Sequence, residues 1–139
     1  MSMGYVLKVA YRHDVGVRTL RTDKDIAAFL DELTTAGWEY TAATVYAVQE
    51  GSETDPDHEL VIGANAETGL GVVRWSRDGT YYSQGAHINP NGVEHAYFGT
   101  AQDFPADSEV PLDVVRLAMR QLLDNHGERP SAVAWQVWE

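Results

Sequence analysis

The run DPDHE, from Asp55 to Glu59, places three carboxylates and an imidazole within five consecutive residues. Donors at that density suit a hard or borderline cation. A His–Glu pair beside a tyrosine could instead move a proton in a small hydrolase or lyase, with a pocket around His58, Glu59 and Tyr82. Against the metal, the run lacks the glycine and the ligand spacing of a calcium loop, and alternate side chains of an extended chain point apart. Protein contact therefore ranks first for these residues, a solvated loop second and a metal site third. No metal and no cofactor is implied.

The other histidines are His13, His87, His95 and His126. His87 and His95 fall on a loop and a following strand and meet only by accident of folding, so each fits a surface or internally bonded role better than a ligand role. None of the arrangements GxSxG, HExxH, P-loop or GxGxxG occurs, and the chain does not read as an enzyme. What remains is recognition. Trp75, Tyr81, Tyr82, Tyr97 and Phe98 lie on neighbouring predicted strands, and alternation makes it hard to bury all five. Aromatic anchors beside selecting carboxylates are the make-up of a protein interface. The candidate contact set is Glu53, Asp55, Asp57, Glu59, Trp75, Tyr81, Tyr82, Glu94, Asp103, Asp107 and Glu109. For any single aromatic, packing against helices is the stronger competing role.

The elements that would position these residues are short. In GYVLKVAYR, Tyr5, Leu7, Val9 and Tyr11 share one strand face, and VRTLR makes a second strand. Thr22-Asp23 is an N-cap signal for an amphipathic helix from about Asp23 to Ala36, with Ile26, Phe29, Leu30 and Leu33 at helical spacing and Gly37 as the stop. TAATVYAVQ is a β-branched strand followed by the polar loop EGSETDPD. A meander covers His58 to Asn65, Leu70 to Ser76 and Thr80 to Gln84, with Asp78-Gly79 a strong hairpin signal. AHINPNG is a loop, VEHAYFG a strand and AQDFPADSE a further loop. A second helix begins near Pro111 as its first residue, buries Leu112, Val115, Met119 and Leu122 with Ala118 and Leu123, and ends at Gly127. SAVAWQVW is a last strand, apolar on both faces and so expected inside the sheet. The sum is α+β: one domain over residues 1–139, a mostly antiparallel sheet of about six to eight strands, and two helices.

Composition narrows the function. The 139 residues carry 44% hydrophobic and 10% aromatic residues, enough for one packed core. There is no cysteine, which excludes a disulfide framework and a thiol nucleophile. The start MSMGYVLKVAYRHD holds no signal-like apolar run, and no segment is long enough to span a bilayer, so cytoplasm is the expected compartment. A net charge of -11 argues against nucleic-acid binding. Lys8, Arg12, Arg18, Arg21 and Lys24 crowd the start, where they could balance the helix that follows. No Lys or Arg then appears until Arg74, and ten carboxylates stand between, from Asp25 to Glu67. Such a band would steer a cationic partner.

Taken in order, YVLKVAYR, PDHEL, GLGVVRW, TYYSQG, FPADSEVPLDVVRLAMRQLL and GERPSAVAWQVW make the chain resemble an actinobacterial immunity protein of the Imm-one family, from about Tyr5 to Trp138. FPADSEVPLD, GERP and the closing tryptophan strand are the most specific parts. The resemblance implies an α+β protein encoded beside a polymorphic toxin, which it binds and neutralises. It also implies toxins that are often deaminases acting on cytosine in DNA, and an inhibitor without catalytic residues. The expected partner is thus a cognate toxin domain, with no nucleic acid or membrane bound directly, and a monomer or weak homodimer when free. An acidic inhibitor would occupy the toxin's basic groove, and a loop carboxylate or aromatic would plug a pocket made for a flipped base. FPADSEVPLD is expected to serve the fold first and a partner second.

Overall fold

The computed structural model describes residues 4–12, 16–37, 40–51 and 55–137. β1 (Tyr5–Ala10), β2 (Arg18–Leu20), β3 (Ala42–Gln49), β4 (Glu59–Asn65), β5 (Leu70–Ser76), β6 (Thr80–Ser83) and β10 (Trp135–Val137) form one antiparallel sheet in the order β10-β6-β5-β4-β3-β1-β2. β9 (Val110–Pro111) adds to β5, making eight strands. β7 (Val93–Tyr97) and β8 (Thr100–Phe104) pair only with each other, as a separate two-stranded sheet.

The helices α1 (Asp23–Thr35) and α2 (Leu112–Asp124) cover one face of the large sheet. α1 starts at a capping box in which Thr22 and Asp25 each bond the other's backbone N–H, satisfying donors the helix leaves open. It buries Ile26, Phe29, Leu30 and Leu33, and α2 buries Val115, Ala118, Met119, Leu122 and Leu123. Both stripes meet the strand residues that alternate inward, among them Leu7, Val9, Val45, Leu60, Ile62, Val73 and Trp75. The opposite face holds a smaller cluster of Ala42, Val61, Val72 and Tyr82 under Val93 and Phe104 of the β7–β8 hairpin. No described helix is long and apolar enough to cross a membrane.

Three expectations are corrected. Pro111 is the N-cap of α2, not its first residue. It stays extended because it pairs with Leu70 of β5, and the Leu112 N–H donates to the Gly69 carbonyl at 3.1 Å. AQDFPADSE is not all loop, since its first residues complete β8. The turn before them, Phe98-Gly99, has positive φ at both positions, 52° and 76°, a hairpin turn without the usual Asn or Asp. β10 lies at the edge of the sheet, bonded to β6: Trp135 packs on the helix-side core, while Gln136 turns to the other face and Val137 is exposed.

Candidate functional site

The DPDHE run is built into the fold. β4 stops pairing with β3 at Leu60–Val45, and the His58 imidazole takes the place of the next ladder bond. Its Nε2 accepts from the Ala47 N–H at 3.0 Å, and its Nδ1 bonds Asp57 at 3.0 Å, which sets Nε2 as acceptor and Nδ1–H as donor. The ring is 5% exposed. It lies against Gly127, where a Cβ would come 2.5 Å from Cε1, so the residue that ends the α2 region has to be glycine for the imidazole to fit. Asp57 also meets Arg77 at 3.4 Å, and Arg77 continues to Glu128 at 3.1 Å. The hydrogen bond from His58 holds the Asp57 carboxyl below its ordinary range, with help from the Arg77 charge. Asp55 is exposed, and Glu53 lies outside the described residues.

His58, Glu59 and Tyr82 do not converge on a pocket. Glu59 belongs to the face away from the helices, where it accepts from the Tyr46 hydroxyl at 2.7 Å and from Arg74 at 3.1 Å. Tyr82 is buried on that same face, edge-on to Phe104 with ring centroids 5.7 Å apart. Trp75 turns the other way. It is 6% exposed in the helix-side core, and its indole N–H donates to the Gly127 carbonyl at 3.3 Å. Tyr81 is half-buried beside it, with the Arg129 guanidinium 4.3 Å from the ring centre. Phe98 is half-buried at the hairpin turn, and the side chain of Tyr97 lies outside what the structure describes. Trp75 and Tyr82 therefore do structural work and offer little surface. No three of the described His, Asp and Glu residues group as metal ligands would.

FPADSEVPLD is a knot of internal bonds. Ser108 is fully buried. Its hydroxyl donates to the Pro105 carbonyl at 2.6 Å, and its own carbonyl accepts from Ser83 at 2.6 Å. Asp107 accepts from Gln136 at 2.9 Å and Glu109 from Asn89 at 3.1 Å. Two of the candidate contact residues are thereby spoken for, which is the structural role expected of this segment.

Glu94 and Asp103 are placed differently. The hairpin register sets them directly opposite one another, both exposed, and no described cation pairs with either. The next pair, His95–Gln102, turns inward, and His95 is 4% exposed beneath the hairpin. Burial pushes its pKa below the usual 6.5, although a hydrogen bond to the Thr41 backbone and the charge of Glu109 both favour the proton.

The basic residues are largely consumed inside the molecule. Arg18 pairs with Glu32, Arg21 with Glu50, Arg74 with Glu59, Arg77 with Asp57 and Glu128, Arg116 with Asp23 and Arg120 with Asp124. Arg12 stacks on Tyr40, 4.8 Å from the ring centre. The basic start of the chain thus serves in large part to neutralise neighbouring elements. One sequence signal went unread: between Arg77 and Arg116 stand Asp78, Glu94, Asp103, Asp107, Glu109 and Asp113 without a single Lys or Arg. That second acidic band contains the hairpin.

No curated protein matches the chain. The crystal structure of a hypothetical protein from Neisseria gonorrhoeae is similar over 94% of this chain and 94% of that one, at a TM-score of 0.46 and 11% identity, a distance at which neither site nor function transfers. The model of the family Immunity protein Imm1 matches residues 15–137, and the chain belongs to that immunity-protein family.

Proposed function

We propose that this protein neutralises a cognate toxin by binding it, as an inhibitor without chemistry of its own, and that the toxin acts on nucleic acid, with a cytosine deaminase the leading case. The contact surface proposed is the outer side of the β7–β8 hairpin. The observation that carries it is Glu94 opposite Asp103 without a described counter-ion. Like charges directly across a ladder are unfavourable by roughly 0.2–1 kcal/mol, and a basic partner turns that cost into attraction. An enzyme of nucleic acid holds phosphates with clustered Lys and Arg. Carboxylates on a paired strand present anions to the same groups, so the inhibitor occupies the substrate groove. Family membership supports the immunity role, and the charge pattern supports the electrostatic one.

The test is co-expression with the toxin domain encoded next door, then size exclusion and a deaminase assay on single-stranded DNA. A stable, inactive complex is expected. In the double variant Glu94→Gln/Asp103→Asn, association at low salt should slow about tenfold and the salt dependence of affinity should flatten, with dissociation little changed. Unchanged association and salt slope would sink the electrostatic reading. Toxin that stays active and unbound would sink the immunity reading for that pair.

A further inference from the structure

We propose that His95 makes the β7–β8 hairpin a proton-sensitive element, seated on the sheet while the imidazole is neutral and released from it when the imidazole is charged. The hairpin shares no ladder with the eight-stranded sheet, and an isolated two-stranded hairpin is marginal in water. Its seat consists of a few groups. Val93 and Phe104 press on Ala42, Val61, Val72 and Tyr82. Ala96 exchanges bonds with Thr41, at 2.8 Å and 3.0 Å, and the Phe98 N–H donates to the Tyr11 carbonyl at 2.8 Å. His95 joins them from β7, buried beneath the hairpin.

The imidazole is packed where no larger neighbour fits. A Cβ on Gly63 would come 2.7 Å from the ring Cγ, and Phe104 meets the ring edge-on, centroids 5.8 Å apart. Its Nδ1 is buried with no hydrogen-bond partner. Neutral, the ring leaves one lone pair unmatched. Protonated, it would bury an N–H without an acceptor together with a charge, and the second state is far more costly. Against the ring lie Gly63 of β4, Phe104 of β8 and the backbone of Thr41 just before β3, none of them charged. Among the charged groups nearby, Glu109 is the one whose field reaches the imidazole, and it favours the proton. Glu94, on the hairpin's own outer side, is exposed; Arg74 of β5 is engaged with Glu59 and interacts with Tyr82. Burial outweighs the Thr41 bond and the Glu109 charge, so the seated hairpin prefers the neutral ring.

The seating is a property of the free protein, and it rests on the toxin-contact reading only for its effect on affinity. Amide hydrogen exchange on the full chain between pH 7.5 and 5.0 tests it, read as protection factors so that intrinsic exchange is divided out. Amides of Val93–Phe104 should lose protection below about pH 6.5, by up to about tenfold per pH unit, since one proton is taken up on opening. Amides of β4 and β5 should hold. His95→Gln should flatten the slope, and His126→Gln, at an exposed histidine, should keep it. Should His95→Gln fail to fold, an NMR titration of the wild-type His95 ring replaces it, with a midpoint below 6.5 expected. Hairpin amides that track those of β4 and β5 would overturn the proposal, as would a slope surviving in His95→Gln or a ring midpoint at or above 6.5. Measuring toxin affinity over the same range separates the two readings. Opening with unchanged affinity leaves the switch standing and removes the hairpin from the contact surface.

Discussion

In the Asp55–Glu59 run, Asp57 takes a bond from His58 and an ion pair from Arg77, and Glu59 is held by Tyr46 and Arg74. On the β7–β8 hairpin, Glu94 and Asp103 face one another and no described cation answers them. The first group is dense in sequence and largely neutralised by the fold. The second is nine residues apart in sequence, adjacent in space and without a counter-ion among the described residues. Density along the chain therefore says little about which charges are free to meet a partner. What decides is whether the fold has already supplied the cation, because an internally paired carboxylate must give up a bond before it forms another.

The comparison breaks most sharply at His58. If the run is structural, His58→Ala leaves the buried Ala47 N–H without an acceptor and opens a void against Gly127. The two effects together should cost about 3 kcal/mol in denaturant unfolding, while toxin affinity measured on the folded fraction stays as it was. A loss under about 1 kcal/mol with abolished binding would return the run to the contact surface. The hairpin should respond in the opposite sense. Glu94→Gln/Asp103→Asn removes a like-charge pair, so stability should rise by about 0.2–1 kcal/mol even as association with the toxin slows. A fall in stability would mean that the two carboxylates have partners in the native fold, and the reason for choosing this surface would disappear.

This contrast also explains what could be read from the sequence. Both helices follow from apolar spacing, and their buried stripes are those expected, except that Leu112 is only half-buried. The meander follows from its punctuation, with Asp78 and Gly79 both at positive φ in the three-residue loop between Ser76 and Thr80. Thr100–Phe104 was missed because TAQDF has one β-branched residue and its turn is Phe98-Gly99, a pair with no strong turn preference. Missing that strand hid the Glu94–Asp103 register, and with it the uncompensated pair. The position of β10 was misjudged from its two apolar faces: Val137 stays exposed, and Trp135 finds its place by meeting the helix-side core. Trp75 and Tyr82 were legible as aromatics on strands, but which face each took depended on register with neighbours far along the chain.

The smallest expected effect separates the two regions by acid. The Asp57 carboxyl is held below its ordinary 3.8 chiefly by the hydrogen bond from His58. A carboxyl depressed in the folded state contributes stability that is fully present above the unfolded value and is lost as pH falls toward the folded one. That window lies below about pH 4. With 75% of its side chain exposed, Asp57 is screened by solvent, and Asp57→Asn should cost only a few tenths of a kcal/mol at neutral pH, the scale of a surface ion pair. His95 works in a different window. Its depressed imidazole stabilises the seated hairpin above the unfolded value near 6.5, and that contribution drains away as pH falls below it. Lowering the pH should therefore loosen the hairpin before the Asp57 contribution begins to fall away. Asp57→Asn separates the two regions, and the pH at which the hairpin amides lose protection should be the same in it as in the wild type. If Asp57→Asn moves that pH, the two regions open as one unit and their carboxylates cannot be assigned separate roles.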